Sequence, residues 1–189
     1  MEAMEAMEAM ETMSNTNILQ IWKKKILFGY YRSPAVVFPE MENAGFSFRL
    51  FPNGRVIWQT YFLNRKKEPM VKHSGMMDIS EDSVSKISRI LAGYAKETDD
   101  FPEFINNGTC DGSFNDFVFC GKFVSSLNIR YNDVAQVMRE NPKYYEEFRF
   151  DMADENKVLA IFTGICDVLR ADGIELYLYH LKIANEKII

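Results

Sequence analysis

The densest run of residues able to do chemistry is Asn106-Asn107-Gly108-Thr109-Cys110-Asp111-Gly112-Ser113-Phe114-Asn115-Asp116. Three chemistries can be asked of it. Asp111, Asn115 and Asp116 offer a loose cation site, but the Asp-x-Asp-x-Asp-Gly order and closing Glu of a calcium loop are missing. Cys110 is a candidate nucleophile if His73 or His180 reaches it, since a thiolate needs a nearby base or positive field at neutral pH. Nothing adjacent in sequence supplies one. Asn107-Gly108-Thr109 matches a glycosylation acceptor, which is idle without a secretory signal. The plainer reading of 106–116 is turn chemistry. Gly permits positive φ, while Asn and Asp bond their own backbone.

Other catalytic constellations are weaker. Asp99-Asp100 with Glu103, and Glu146-Glu147, are paired carboxylates. Acid–base catalysis needs such a pair in unlike environments, so that the two pKa values part, and adjacent solvent-facing acids do not provide that. Neither the Walker pattern nor Gly-x-Gly-x-x-Gly occurs. Three cysteines, Cys110, Cys120 and Cys166, and two histidines are too few and too scattered for a disulfide framework or most zinc sites. Cys120, beside a turn glycine, and Cys166, on an apolar helix face, read as structural. No cofactor or metal is expected.

Charge is divided along the chain. Residues 14–75 hold ten Lys and Arg against three Asp and Glu; residues 76–189 hold twelve against twenty. Such an asymmetry can mark a surface for a charged partner. The basic segments Lys23-Lys24-Lys25 and Arg65-Lys66-Lys67 have Trp22, Tyr30, Tyr31 and Trp58 nearby in sequence, a pairing that can bind single-stranded nucleic acid. Trp58 is expected to face a core, however, and short like-charge runs are usually solvated. The pI near 5.2 also argues against nucleic-acid binding by the whole chain.

The elements that must position these residues follow from periodicity. Met-Glu-Ala repeats open the chain, and their period of three drifts round a helix of ~3.6 residues per turn. Residues 1–13 are read as a low-complexity disordered tail and 14–189 as a single domain. Ile18, Ile21, Trp22, Lys25 and Ile26 fall near helical spacing, and Ser33-Pro34 ends any helix there. Residues 32–45 read as an irregular connection. Phe46, Phe48 and Leu50 alternate with Ser47 and Arg49. Pro52-Asn53-Gly54 then turns the chain into Val56, Trp58, Tyr61 and Leu63, which predicts a hairpin. Residues 65–69 form a polar loop.

Ser80 caps a helix expected to run to about Glu97, with an Ile79–Val84 staple and Glu81 and Asp82 in the first turn. Residues 98–116 are read as a loop. A second hairpin turns at Cys120-Gly121, and a helix is expected within 133–149. Asp154 is read as the cap of a last helix with Val158, Ile161, Phe162, Ile165, Val168 and Leu169 on its face. Gly173 ends that helix, and Ile174–Leu181 reads as one strand.

The fold class is therefore α+β: a mostly antiparallel sheet of two hairpins plus a C-terminal strand, with helices packed on one face. No stretch approaches the roughly 18 apolar residues of a membrane helix. With no signal peptide recognisable, a cytoplasmic location is expected. A domain without a catalytic motif and with an acidic C-terminal two-thirds points to a protein binder rather than an enzyme. Its profile is that of an immunity or antitoxin-type inhibitor whose acidic face blocks a basic partner such as a toxin or nuclease. The candidate face is Asp99, Asp100, Glu103, Asp111 and Asp116. A nucleic-acid-linked regulator using 23–25 and 65–67, or a small enzyme acting through 106–116, are the alternatives.

Overall fold

A computed structural model describes residues 26–34, 44–105, 113–127, 152–178 and 180–183. The expected helix within 133–149, the repeat-rich tail, Cys110 and Asp111 lie outside these residues. The main sheet has seven strands: β1 (Phe28–Pro34), β2 (Gly45–Leu50), β3 (Arg55–Leu63), β4 (Pro69–Asp78), β5 (Phe104–Ile105), β6 (Ser113–Phe119) and β7 (Lys122–Leu127). Their order is β4-β3-β2-β1-β6-β7-β5. Every pairing is antiparallel except β5 with β7. The mixed α+β class with a mostly antiparallel sheet is thus as expected.

Several strands depart from the sequence reading; β5 and the Ser113–Asp116 part of β6 fall within 98–116, which was expected to be a loop. Helical spacing was expected to extend through Ile26, yet Phe28–Pro34 forms the central strand. Phe28 and Tyr30 are fully buried, so tertiary packing overrides the helix-like spacing of the residues before them. β4 occupies 69–78 as an edge strand with no buried residue, which leaves no apolar alternation to read. The C-terminal segment is not one strand of the main sheet. It splits into β8 (Ile174–Tyr177) and β9 (His180–Ile183), a separate two-stranded sheet.

The two expected turns are formed. Gly54 closes the four-residue link between β2 and β3, donating its N–H to the Phe51 carbonyl at 3.0 Å. Cys120 (φ 48°) and Gly121 (φ 88°) make a two-residue turn between β6 and β7, both left-handed. That geometry matches the twist of the flanking strands and favours Asn-Gly. Cys120→Asn should therefore raise stability by ~0.5–1 kcal/mol, because Asn tolerates positive φ better. An unchanged or lower urea midpoint would contradict this.

Helix α1 (Glu81–Gly93) begins as expected: Ser80 Oγ accepts from the Ser83 N–H at 3.2 Å. It stops earlier than expected. Tyr94 adopts φ −110°, ψ 13°, outside the helical basin, and a short helix α2 (Ala95–Asp99) follows. The last helix, α3, spans Met152–Leu169, so Asp154 lies in its first turn rather than at the cap. A 3-10 turn (Arg170–Asp172) ends at Gly173, whose φ is 78°. Asp172 accepts a hydrogen bond from the Ser80 backbone N–H at 3.2 Å, which ties the end of α3 to the start of α1.

The core joins sheet and helices. Side chains alternate in a strand, so Phe28 and Tyr30 of β1 share a face with Phe48 and Leu50 of β2 and with Phe117 and Phe119 of β6. Phe162 of α3 sits on this face, 4.9 Å from the Tyr30 ring and 5.5 Å from that of Phe117 between centroids. Ile87 and Leu91 of α1 and Ile161, Ile165 and Leu169 of α3 complete the cluster. The Tyr30 hydroxyl meets Asn115 Oδ1 at 2.7 Å and also contacts the Leu178 carbonyl between β8 and β9. A buried phenol is thereby satisfied. Trp58 is buried as expected, its ring lying across Gly75 of the neighbouring strand.

Candidate functional site

Acidic residues collect where α2 meets the β7–β5 edge. Asp99 is the last residue of α2 and Asp100 its C-cap. Phe101 and Ile105 are buried and anchor the segment, so the residues between them are held at the surface. The Ser125 N–H donates to the Glu103 carbonyl at 2.8 Å, continuing the parallel pairing of β5 with β7. Asp99, Asp100 and Glu103 are all exposed. Lys122 donates from Nζ to the Asp99 backbone carbonyl at 3.2 Å, leaving that interaction on the main chain rather than on a carboxylate.

Asp116 stands apart from these three. It lies in the middle of β6, opposite Tyr31 on β1 and Ser125 on β7, and accepts a 2.6 Å hydrogen bond from Ser125 Oγ. It is only half-buried, and two strand spacings (about 10 Å) separate β6 from β5 in the sheet order. The structure therefore brings Asp99, Asp100 and Glu103 together and sets Asp116 on the sheet face. Of the suggested cation group, Asp111 lies outside the described residues and the other two are kept apart. Asn115 and Asp116 are adjacent in a strand and point to opposite faces, with Asn115 fully buried against Tyr30. Among the described residues, no group of three His, Cys, Asp or Glu is placed to hold a metal ion.

The face bearing Asp116 carries a polar row that sequence reasoning passed over. Register aligns Gln59, Ser47, Tyr31, Asp116 and Ser125 across β3, β2, β1, β6 and β7. Arg49 donates to Gln59 Oε1 at 2.6 Å, and the Tyr61 hydroxyl reaches the same oxygen at 3.1 Å and Ser47 Oγ at 3.0 Å. A cavity of about 460 Å³ lies here, with Tyr31, Arg32, Phe46, Tyr61, Asp116 and Phe123 in its lining. The signal available in sequence was the set alternating with the core residues: Ser47 and Arg49 with Phe46, Phe48 and Leu50, and Tyr31 with Tyr30.

Burial pushes the Tyr31 phenol up to about 12; the positive charge of Arg49 opposes this, and Tyr61 and Asp116 add to it. A phenol held neutral in the fold stabilises it fully below the ordinary value near 10. That contribution is lost as pH rises through the folded value near 12. Stability should accordingly fall between pH ~10 and ~12, and Tyr31→Phe should flatten that part of the profile. Equal slopes in alkaline urea titrations of the two proteins would refute the assignment.

The remaining candidates are dispersed. His73 is exposed on β4, four strand spacings (roughly 19 Å) from β6 in the sheet order. His180 lies on β9 opposite Tyr177. Burial raises the thiols of Cys120 and Cys166, the latter to about 12, with the Asp167 charge adding to it; both are therefore poor nucleophiles at neutral pH. Arg65, Lys66 and Lys67 are exposed in the turn from β3 to β4. Asn64 organises this turn, its Oδ1 accepting from the N–H groups of Lys66 and Glu68. With Trp58 in the core, that indole offers no stacking platform beside them. Lys23–Lys25 and Trp22 lie outside the described residues.

Among the described residues, no helix is long and apolar enough to cross a membrane. No protein-family model matches the chain, and comparison with curated proteins gives no match.

Proposed function

We propose that this chain is a non-enzymatic protein-binding domain that sets an acidic edge against a basic partner, in the manner of an immunity or antitoxin protein occluding a nuclease. The observation that carries this reading is the exposure of Asp99 and Asp100, just before the buried anchor Phe101, and of Glu103, between Phe101 and Ile105. Carboxylates at the carbonyl end of a helix are unfavourable, so Asp99 and Asp100 are not explained by stability of α2. Charges fixed on a rigid edge steer a complementary partner and raise its association rate more than its intrinsic affinity. Asp116 would then flank the contact from the adjoining face.

Pull-down from the host at moderate salt, with identification of the retained protein, supplies the partner. Replacing Asp99→Lys and Asp100→Lys together should slow association with that partner about 10-fold or more at low salt and flatten its salt dependence. Association unchanged in rate and salt response would remove the acidic edge from the account.

A second reading has one observation in its favour. The cavity beside Asp116 and Tyr31 suits a small polar ligand, and Asp116 belongs to the segment a small enzyme would use. A ligand screen by thermal shift, repeated with Asp116→Asn, separates this from the binding reading.

A further inference from the structure

We propose that the β4 edge joins a second copy of this chain, antiparallel strand to antiparallel strand, so that two sheets become one. This goes beyond the partner-binding reading and engages the opposite end of the sheet. β4 is ten residues long and pairs only with β3 among the described residues. Its exposed side chains include Met70, Val71 and Met76, the last 60% accessible. The Ile79 N–H donates to the Gly54 carbonyl at 2.9 Å, in the register that continues through Arg55 with Asp78. Antiparallel ladders alternate, so the backbone groups of Met77, Gly75 and His73 point to β3. Those of Asp78, Met76 and Ser74 point outward.

Proline and a bulge are the usual protections of an edge, and both are present, but only in the first half of β4. Pro69 opens the strand, and the register shifts between Thr60 and Tyr61, leaving Lys72 as the extra residue. Among the described residues, Ser74–Asp78 pairs regularly with β3 and with no other strand. β5, at the other edge, has two residues and is too short to serve.

Charge selects the occupant. One end of β4 carries the exposed cations Lys66 and Lys67; the other runs into the exposed acids Asp78, Glu81 and Asp82. A two-fold axis through Gly75 pairs Ser74 with Met76 and Lys72 with Asp78 of the second copy. It also lays each basic turn beside the acidic first turn of the other copy's α1. Self-pairing therefore satisfies both ends twice, as an isologous contact must. The pairs Asp78 makes with Arg55 and Asp82 with Lys86 are exposed, so they exchange readily. The acidic β7–β5 edges lie at the two far ends, away from this contact.

Sedimentation equilibrium of the purified chain tests this without any partner protein. The wild type should be a dimer. Lys66→Glu with Lys67→Glu, and separately Glu81→Lys with Asp82→Lys, should each weaken dimerisation about 10-fold or more. An equimolar mixture of the two variants should recover the dimer, because both swapped contacts are again complementary. Far-UV circular dichroism checks that each variant is folded, and Met76→Lys supplies an independent disruption should either fail. A monomeric wild type, variants that dimerise normally, or a mixture that does not recover would each overturn the proposal.

Discussion

Gly45→Ala will unfold at markedly lower urea than the wild type, with a loss on the order of 3–5 kcal/mol. Gly45 opens β2 at φ +127°, a conformation L side chains rarely adopt. A Cβ built there falls 1.9 Å from the Arg32 carbonyl oxygen on β1. Neither atom is the end of a flexible side chain, so relief requires β1 and β2 to part where Arg32 pairs with Phe46. The estimate adds the strain of the forced φ to one or two lost ladder bonds. Gly93→Ala is the matched control. It sits in the last position of α1 with nothing within 4 Å of its added Cβ. There alanine should stabilise by up to ~1 kcal/mol, since the glycine's greater backbone entropy is removed. Midpoints moving in the same direction for both would contradict the geometry at Gly45.

Phe162→Ala is expected to cost ~3–5 kcal/mol. Phe162 is 3% exposed and is the ring through which α3 meets the aromatic face of the sheet. It contacts Phe28, Tyr30 and Phe117; Tyr30 stacks on Phe117, and Phe28 on Phe119. Truncation removes the transfer free energy of the ring and leaves a void bounded by planar groups, which cannot rotate to fill it as aliphatic chains can. For a chain of this size the melting temperature should fall by about 10 °C. Phe162→Leu, keeping most of the volume, should cost less than half as much. Near-ultraviolet dichroism should weaken in the alanine variant as the rings lose their fixed packing. A loss under ~1 kcal/mol for alanine would mean that α3 is held by its other contacts.

The parts of the fold that could be read from sequence are those whose signals are local. Pro52-Asn53-Gly54 and Cys120-Gly121 announce turns by backbone chemistry alone. Ser80 with Ile79 and Val84 announces a helix start in the same way. The parts that could not are set by neighbours distant in sequence. Phe28-Gly29-Tyr30-Tyr31 is a central strand because β2 and β6 cover its two edges; its own residues follow a helix-like stretch. β4 has exposed Met70, Val71 and Met76, while Met77 is partly covered by the core, so along this strand apolar type does not follow burial. Leu178 and Tyr179 carry no turn signal, so the break between β8 and β9 was read through.

The candidate site divides along the same line. Asp99, Asp100 and Glu103 could be grouped from sequence because they are neighbours in it. The opposite facing of Asn115 and Asp116 became visible only once β6 was seen to start at Ser113. The polar row and its cavity draw residues from five strands, and no window of sequence contains them.

The place of β1 in the sheet has a consequence for how the chain acquires its structure. Among the described residues, β1 is the strand that joins the β2–β4 meander to the β5–β7 group. One side of it pairs with the next strand in sequence; the other pairs with β6, and the Tyr30–Asn115 bond there spans 85 residues. The first four strands can therefore assemble by short-range closure while the far edge of β1 stays bare. Docking of β6 closes a long loop and is the step that should set the folding rate. Until it happens, that side of β1 has unpaired backbone, and Phe28 and Tyr30 lack the rings of Phe119 and Phe117 beside them. That interval, rather than the finished fold, is when this protein is most prone to aggregate.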